Sequence, residues 1–119
     1  MDINNKIKNL FKIIDRMDAA SFSSFLTDDV KFRFGNMPAV EGKDNVVEAV
    51  SGFYGSIRSL SHDIDNIWEN EGVVVCNGTV TYTRHDSSKL SVPFANIFKM
   101  KGDRIKEYLI YADISELYK

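Results

Sequence analysis

The chain has 119 residues, a formal net charge of −2 and a pI near 5.6, and 44% of its residues are hydrophobic. This length predicts one domain with a single core, covering residues 1–119. The acidic balance argues against nucleic-acid binding, which would need clustered Lys and Arg. The apolar runs are too short for a membrane span, and residues 1–5 lack the charged-then-apolar order of a signal peptide. We therefore expect a cytoplasmic protein without a membrane partner.

The residue types that hold metals and cofactors are sparse. The lone cysteine, Cys76, excludes an intrachain disulfide and is expected to be a small buried side chain. The two histidines, His62 and His85, have no second close pair of ligands, so we predict no metal site. The chain also lacks a Gly-rich phosphate loop and a nucleophile elbow, so no cofactor is expected.

The N-terminal half predicts three helices and one strand. Apolar residues recur at helical spacing over residues 3–17, and Asp18 is placed to cap a second, short helix. Residues 30–34 alternate apolar and basic side chains, as in a strand with one solvated face. Residues 46–57 carry the strongest helical stripe, although two glycines weaken that helix.

The C-terminal half predicts a meander of long strands joined by tight polar turns. These strands cover residues 60–69, 73–84, 89–100 and 104–112. The element order places three helices of the N-terminal half on one face of a mostly antiparallel sheet, which defines the α+β class. We expect the sheet to curl around the helices and to leave a cone whose wide end holds a small molecule.

Two residues are candidates for acid–base chemistry. The last strand alternates through Ile105, Leu109 and Tyr111 to Asp113, so this carboxylate is expected to face the interior, where desolvation would raise its pKa. The alternative is that Asp113 caps the backbone of the following turn. His62 could face the same cone and exchange protons with Asp113, or it could be a half-exposed histidine at a strand start.

Further residues are candidates for ligand contact. Asn96 lies on an apolar strand face, where its amide needs a partner from the protein or from a ligand. Tyr111 shares the parity of Asp113, while Trp68 and Tyr54 are expected in the pocket wall or the core. A bulge in the last strand would reverse the facing of Tyr111 and Tyr108. Tyr82 could serve as a pocket hydroxyl or as an interface aromatic.

Two segments resemble the nuclear transport factor 2-like superfamily, and most closely its SnoaL-like branch. They are "AVEGKDNVVEAVSGFY", which leads into the third helix, and "VPFANIFKMKGDRIKEYLIYADISELY" at the C-terminal end, with His62 at the head of a strand. The resemblance implies a cone-shaped curved sheet around three helices, a deep pocket and a homodimer through the open sheet face. The superfamily includes polyketide cyclases, limonene epoxide hydrolases, ketosteroid isomerases and non-catalytic binders.

The resemblance carries over to individual residues only in part. Asp113 matches the end-of-strand carboxylate of epoxide hydrolases and SnoaL-type cyclases. The Arg-x-Asp pair of the epoxide hydrolases is missing from residues 73–84. Where ketosteroid isomerases hold a base and a tyrosine, this chain offers Phe34 and Leu10, and Asn96 stands at their second acid. Neither of those two mechanisms is expected, and Phe34 is instead a candidate ligand contact.

Two functions remain open at this point. The chain could be a cofactor-independent isomerase, cyclase or hydrolase, in which Asp113 acts as acid or base, His62 as its proton partner and Asn96 as a donor to a developing oxyanion. It could instead be a non-catalytic dimeric binder or adaptor whose cone is filled by its own aromatic side chains. Both interpretations predict a small apolar ligand or core and a homodimer through the sheet face.

Overall fold

The computed structural model describes residues 3–118. Met1, Asp2 and Lys119 lie outside the described residues, so the prediction about a signal peptide falls partly outside them. The helices are α1 (Ile3–Asp15), α2 (Ala19–Ser23) and α3 (Lys43–Gly55), and the strands are β1 (Leu26–Phe34), β2 (Val40–Glu41), β3 (Ser59–Asn70), β4 (Val73–Thr83), β5 (Lys89–Lys101) and β6 (Arg104–Tyr111). Each predicted element is present. The two-residue strand β2 was not predicted, and β1 begins before residue 30.

The helices form where their apolar residues can be buried on one side. Helix α1 buries Ile7, Leu10, Phe11 and Ile14, which lie three or four residues apart and therefore share one helical face. Helix α2 begins at Asp18 as predicted, because the Asp18 carboxylate accepts the backbone N–H of Ser21 at 3.1 Å. No helix within residues 3–118 combines the length and the apolarity that crossing a membrane requires.

The six strands form one mixed sheet in the order β2-β1-β6-β5-β4-β3. All neighbouring strands run antiparallel except β1 and β6, which are parallel. The sheet does not close on itself, since β2 and β3 are its two edges. Helix α3 packs on β1 and α1 packs on β3, so the helices cover one face and the hydrophobic core lies between the two layers. The α+β prediction is confirmed.

Two β-bulges change which side chains face the core. Strand β3 carries one extra residue between Ile64 and Asn66 relative to β4, and β6 carries one between Ile105 and Glu107 relative to β5. The first bulge depends on Gly78, because a Cβ at this position would overlap the carbonyl oxygen of Asp63. Since side chains alternate along a strand, each bulge reverses the facing of every residue that follows it.

Candidate functional site: a cavity between helices and sheet

A cavity of about 270 Å³ lies between the helices and the inner face of the sheet. Its wall is mostly aliphatic and aromatic, and none of the described residues that line it is Lys, Arg, Asp or Glu. An engineered cavity of roughly 150 Å³ is enough to hold benzene, so this volume suits one substituted ring or two fused rings. The charge-free wall favours an uncharged occupant, because an isolated ion is costly to desolvate.

The cavity has an exposed end and a buried end. Met37 and Tyr118 line it while remaining 60% and 62% exposed, so they mark its mouth together with Pro38 and Ala49. At the other end, Asn96 is only 2% exposed. The cavity therefore opens to solvent beside Met37 and Tyr118, whereas Asn96 lies in a buried part of its wall.

The strongest polar contact at the cavity joins Asp15 to His62. Asp15 is the last residue of α1, and its carboxylate accepts the backbone N–H of His62 at 3.0 Å and meets the His62 ring nitrogen Nδ1 at 2.6 Å. A carboxylate at a helix C-terminus is disfavoured by the helix dipole, so the position of Asp15 needs a compensating partner. His62 supplies that partner. The pair also fixes the ring, because a carboxylate beside Nδ1 selects the tautomer that carries its hydrogen there.

The second ring nitrogen of His62, Nε2, has no hydrogen-bond partner among residues 3–118. The ring lies between Phe11 and Phe94, with centroid distances of 4.7 and 5.1 Å. It lines both the cavity and an outer groove, whereas Asp15 lines only the groove. His62 thus forms part of the wall between the two spaces, and Asp15 contacts only one of its two ring nitrogens.

Asn96 brings an unsatisfied amide to the same cavity. It lies on β5, is almost fully buried, and its carbonyl oxygen Oδ1 has no hydrogen-bond partner. Leaving a buried acceptor unpaired costs about 1–3 kcal/mol, and native proteins seldom accept this cost without a reason. A ligand that donates a hydrogen bond to Asn96 Oδ1 would remove the cost.

Three buried tyrosines add hydroxyl groups. Tyr54, Tyr82 and Tyr108 line the cavity from α3, β4 and β6, and all three are buried. Burial raises the pKa of Tyr54 to about 12, with a smaller contribution from the negative charge of Asp15. Burial likewise raises the pKa of Tyr82 and Tyr108. All three therefore remain neutral and can donate hydrogen bonds at physiological pH.

Five of the residues proposed from the sequence line the cavity, namely His62, Asn96, Tyr54, Tyr82 and Phe34. His62 does not form the expected pair with Asp113, because its ring is held by Asp15. No sequence pattern indicates this contact, because Asp15 is one of several polar residues on an amphipathic helix. The facing of Tyr108 could have been found only by locating the bulge in β6.

Three other candidates lie outside the cavity lining, and the bulges explain two of them. Trp68 follows the bulge in β3 and is 54% exposed on the outer face of the sheet. Tyr111 follows the bulge in β6, is 42% exposed and accepts a hydrogen bond from Arg33 at 2.9 Å. The uninterrupted alternation assumed for these strands therefore assigned both residues to the wrong face.

Asp113 is the third candidate outside the cavity. Its parity is that of Tyr111, its side chain is exposed, and its carboxylate accepts the backbone N–H of Ser115 at 2.9 Å. This is the turn-capping alternative that the sequence analysis left open. The interior placement of Asp113 was wrong because the bulge turned this end of the chain outward.

Among the described residues, no three or more His, Cys, Asp or Glu side chains are grouped as metal ligands. Cys76 is buried in β4, and burial raises its pKa to about 12. Its thiol is therefore neutral, as the sequence analysis expected of a small buried side chain.

The sequence model of the SnoaL-like domain matches residues 7–108. The chain belongs to the SnoaL-like domain family. None of the curated proteins matches it. Solved structures of the nuclear transport factor 2-like class share the fold of this SnoaL-like chain at low identity. One is an NTF2-like protein of unknown function from Burkholderia pseudomallei, with a TM-score of 0.87 and 17% identity over 98% of this chain and 95% of that one.

Two enzyme-related structures are similar to the same extent. A candidate polyketide cyclase from Xanthomonas campestris has a TM-score of 0.86 and 17% identity, covering 96% of this chain and 92% of its own. An epoxide hydrolase of the LEH-like type from M. tuberculosis has a TM-score of 0.81 and 13% identity, covering 96% and 84%. These similarities establish the fold and confirm the resemblance noted in the sequence.

Proposed function

We propose that this SnoaL-like protein binds an uncharged molecule of one or two rings in its cavity and moves a proton on that molecule without a cofactor. The observation that carries the proposal is the Asp15–His62 pair, which leaves Nε2 without a protein partner at the wall of an apolar cavity. General base catalysis needs a base that is held in a fixed orientation beside the bound substrate.

The proposed chemistry begins with proton removal. His62 Nε2 takes a proton from a carbon next to a ligand carbonyl, and the electrons of the C–H bond form an enolate. Asp15 positions the ring and stabilises the imidazolium through Nδ1. The negative charge on the ligand oxygen is stabilised by donors in the cavity, for which Asn96 and the tyrosine hydroxyls are available. Where the ligand carries a C=C bond conjugated with the enolate, return of the proton to the far carbon of that bond completes an isomerisation.

The same enolate supports other outcomes of the class expected from the sequence. Attack of the enolate on a second carbonyl of the same molecule gives an aldol-type cyclisation, and the imidazolium then protonates the new alkoxide. His62 takes the place that the sequence analysis gave to Asp113. The proposed base therefore lies near the start of β3 and not after the end of β6.

Solvent exchange tests this proposal directly. We expect the protein to accelerate deuterium incorporation next to the carbonyl of uncharged ketones such as 1-indanone and 2-tetralone in D₂O, followed by NMR. His62→Gln should lower the acceleration about 10²–10⁴-fold, the usual contribution of a general base. Asp15→Asn should lower it less, because the base remains while its orientation is lost.

Matched controls separate the site from the rest of the protein. His85→Gln changes an exposed histidine outside the cavity lining, and Asp113→Asn changes the exposed turn carboxylate. Both should retain the wild-type exchange rate. Exchange that is equal in wild type and His62→Gln contradicts the proposed base. Ligands that bind in the cavity without any exchange would instead support the non-catalytic binder.

We also propose a homodimer through the outer face of the sheet. Trp68, Val75, Ile97 and Leu109 are directly paired neighbours across four strands and form one apolar row on that face. Trp68 is exposed and the other three are half-buried. A flat apolar row can pair with its own copy across a two-fold axis, which would cover the same residues on both chains.

A further inference from the structure

The segment that follows β6 forms one side of the cavity mouth. We call residues 113–118 the C-terminal strap. Ile114 and Tyr118 of the strap line the cavity, and Leu117 is buried with 1% exposure. The strap therefore belongs to the cavity wall, although it forms neither a strand nor a helix.

Two local hydrogen bonds give the strap its shape. The Asp113 carboxylate accepts the backbone N–H of Ser115 at 2.9 Å, and the backbone N–H of Leu117 donates to the carbonyl of Ile114 at 2.9 Å. These contacts fold the chain into a turn that directs Leu117 into the core. The Asp113 carboxylate thus helps to shape the mouth of the cavity, because it holds the backbone of the strap in this turn.

Arg84 fastens the strap to the rest of the protein. Its Nε donates to the carbonyl oxygen of Leu117 at 2.8 Å, and Nη2 donates to the carbonyl oxygen of Glu116 at 3.0 Å. A third nitrogen, Nη1, donates to the Ser88 hydroxyl at 3.1 Å in the turn between β4 and β5. A guanidinium group with several fixed donors holds a loop more rigidly than a single hydrogen bond does.

Tyr118 is held at the mouth by a second contact. Its hydroxyl lies 2.7 Å from the hydroxyl of Ser56, at the end of α3. The Ser56 hydroxyl donates its only hydrogen to the carbonyl of Phe53 at 2.7 Å, so Tyr118 must be the donor to Ser56. This contact fixes the Tyr118 ring beside the end of α3, while 62% of the residue stays exposed.

We infer that Tyr118 is a specificity-determining residue that limits the length of the molecules that the cavity accepts. A ring that fits inside the chamber does not reach the fixed Tyr118 ring, whereas a substituent that projects through the mouth must displace it. This inference rests on the proposed ligand site in the cavity. The hydrogen-bonding groups inside the cavity would select the polar part of the ligand, and Tyr118 at the mouth would limit the length of the ligand.

A series of 4-alkylphenols tests the limit, because these molecules are uncharged at neutral pH and differ only in chain length. With phenol, 4-ethyl-, 4-butyl- and 4-hexylphenol, calorimetric affinity for the wild type should rise about four-fold per buried methylene until the mouth is reached, and then fall. Tyr118→Ala should move this cut-off to a longer chain and improve 4-hexylphenol binding by at least about ten-fold, with phenol unchanged.

Two further variants keep the result interpretable. Ser56→Ala removes only the hydroxyl that holds Tyr118, so it should shift the cut-off less than Tyr118→Ala. Tyr111→Ala removes an exposed tyrosine outside the cavity lining and should leave the cut-off unchanged. If the phenols bind and Tyr118→Ala keeps the wild-type cut-off, the inference is wrong and the ligand site stands. If no phenol binds to the wild type, both the ligand site and the inference are wrong.

Discussion

The two faces of the β-sheet differ in how their asparagine side chains are satisfied. On the outer face, Asn66 donates to Asn77 at 3.1 Å and the hydroxyls of Thr81 and Ser91 lie 2.8 Å apart. On the inner face, the Asn96 amide oxygen is buried without a partner. Both faces belong to the same strands, so strand composition alone does not explain the difference.

This difference distinguishes a polar group that supports the fold from one that is available to a ligand. A polar side chain that only supports the fold is normally satisfied by its neighbours. The Asn96 oxygen Oδ1 has no such neighbour within residues 3–118, and an apolar side chain of the same shape would be more stable there. This unpaired acceptor therefore supports the ligand site that we propose for the cavity.

Gly78→Ala should lower the free energy of unfolding the most, because it disrupts the bulge in β3 that determines which side chains face the core. The new Cβ would overlap the backbone carbonyl of Asp63, which cannot move without disturbing His62. We expect a loss of at least about 3 kcal/mol in the free energy of unfolding, at the upper end of the range for point mutations. Chemical denaturation measures it.

Gly52→Ala is the matched control for this prediction. A Cβ at Gly52 meets no atom within 4 Å, and this position lies in helix α3. The variant should gain about 0.5–1 kcal/mol, because alanine favours a helix more than glycine does. Equal behaviour of the two variants would show that the bulge does not need a glycine.

Alkaline pH should destabilise the protein through the buried tyrosines. The pKa of Tyr54 rises from 10.0 to about 12 on folding, so the unfolded chain loses this proton first. Stability from this group is complete below pH 10 and falls as pH rises toward 12, by at most roughly 2–3 kcal/mol because the group keeps some contact with solvent. Unfolding free energies measured from pH 9 to 12 should fall less steeply in Tyr54→Phe. Identical slopes would contradict the burial of an ionisable Tyr54.

Asn96→Leu compares the two faces directly. Removing an unpaired buried amide should raise the free energy of unfolding by about 1 kcal/mol and weaken ligand binding. Asn77→Leu removes the paired asparagine of the outer face and should lower stability by about 0.5 kcal/mol, leaving ligand binding unchanged. Thermal unfolding and calorimetry provide both readouts. Loss of stability in Asn96→Leu would show that Asn96 supports the fold.

Trp68→Lys should have the smallest effect on the fold and a clear effect on assembly. The exposed side chain contributes little to the monomer, so the free energy of unfolding per chain should change by less than about 0.5 kcal/mol. Light scattering at micromolar concentration should show a dimer for the wild type and a monomer for the variant. Asp103→Lys, in the exposed turn between β5 and β6, should remain a dimer. A monomeric wild type would rule out the outer-face dimer.

Periodicity predicted the helices and the long strands because burial selects residues at regular spacing. The amphipathic stripe of α1 and the turn at Gly72, where φ is 81°, are local features that the sequence encodes directly. The order of the elements predicted the curved sheet, and the family resemblance implied the same fold. The cavity contacts of His62 and Asn96 follow from strand parity before any bulge intervenes.

The remaining site residues depend on features that a periodic pattern does not contain. One extra residue in β6 turned Asp113 outward and Tyr108 inward. The pairing of Asp15 with His62 joins residues 47 positions apart, and only the packing of α1 on β3 brings them together. A glycine inside a strand, such as Gly78, is the one local sign that a bulge was present.

The parallel pairing of β1 with β6 has a consequence for how the protein folds. Strands β3, β4 and β5 join neighbours in sequence through short turns, whereas β1 and β6 come from opposite ends of the described chain. Closing that long loop carries an entropic cost that is met only when both strands dock, so we expect this step to be late and slow. The chamber does not exist until it is complete. A molecule that binds inside should therefore slow unfolding without speeding refolding.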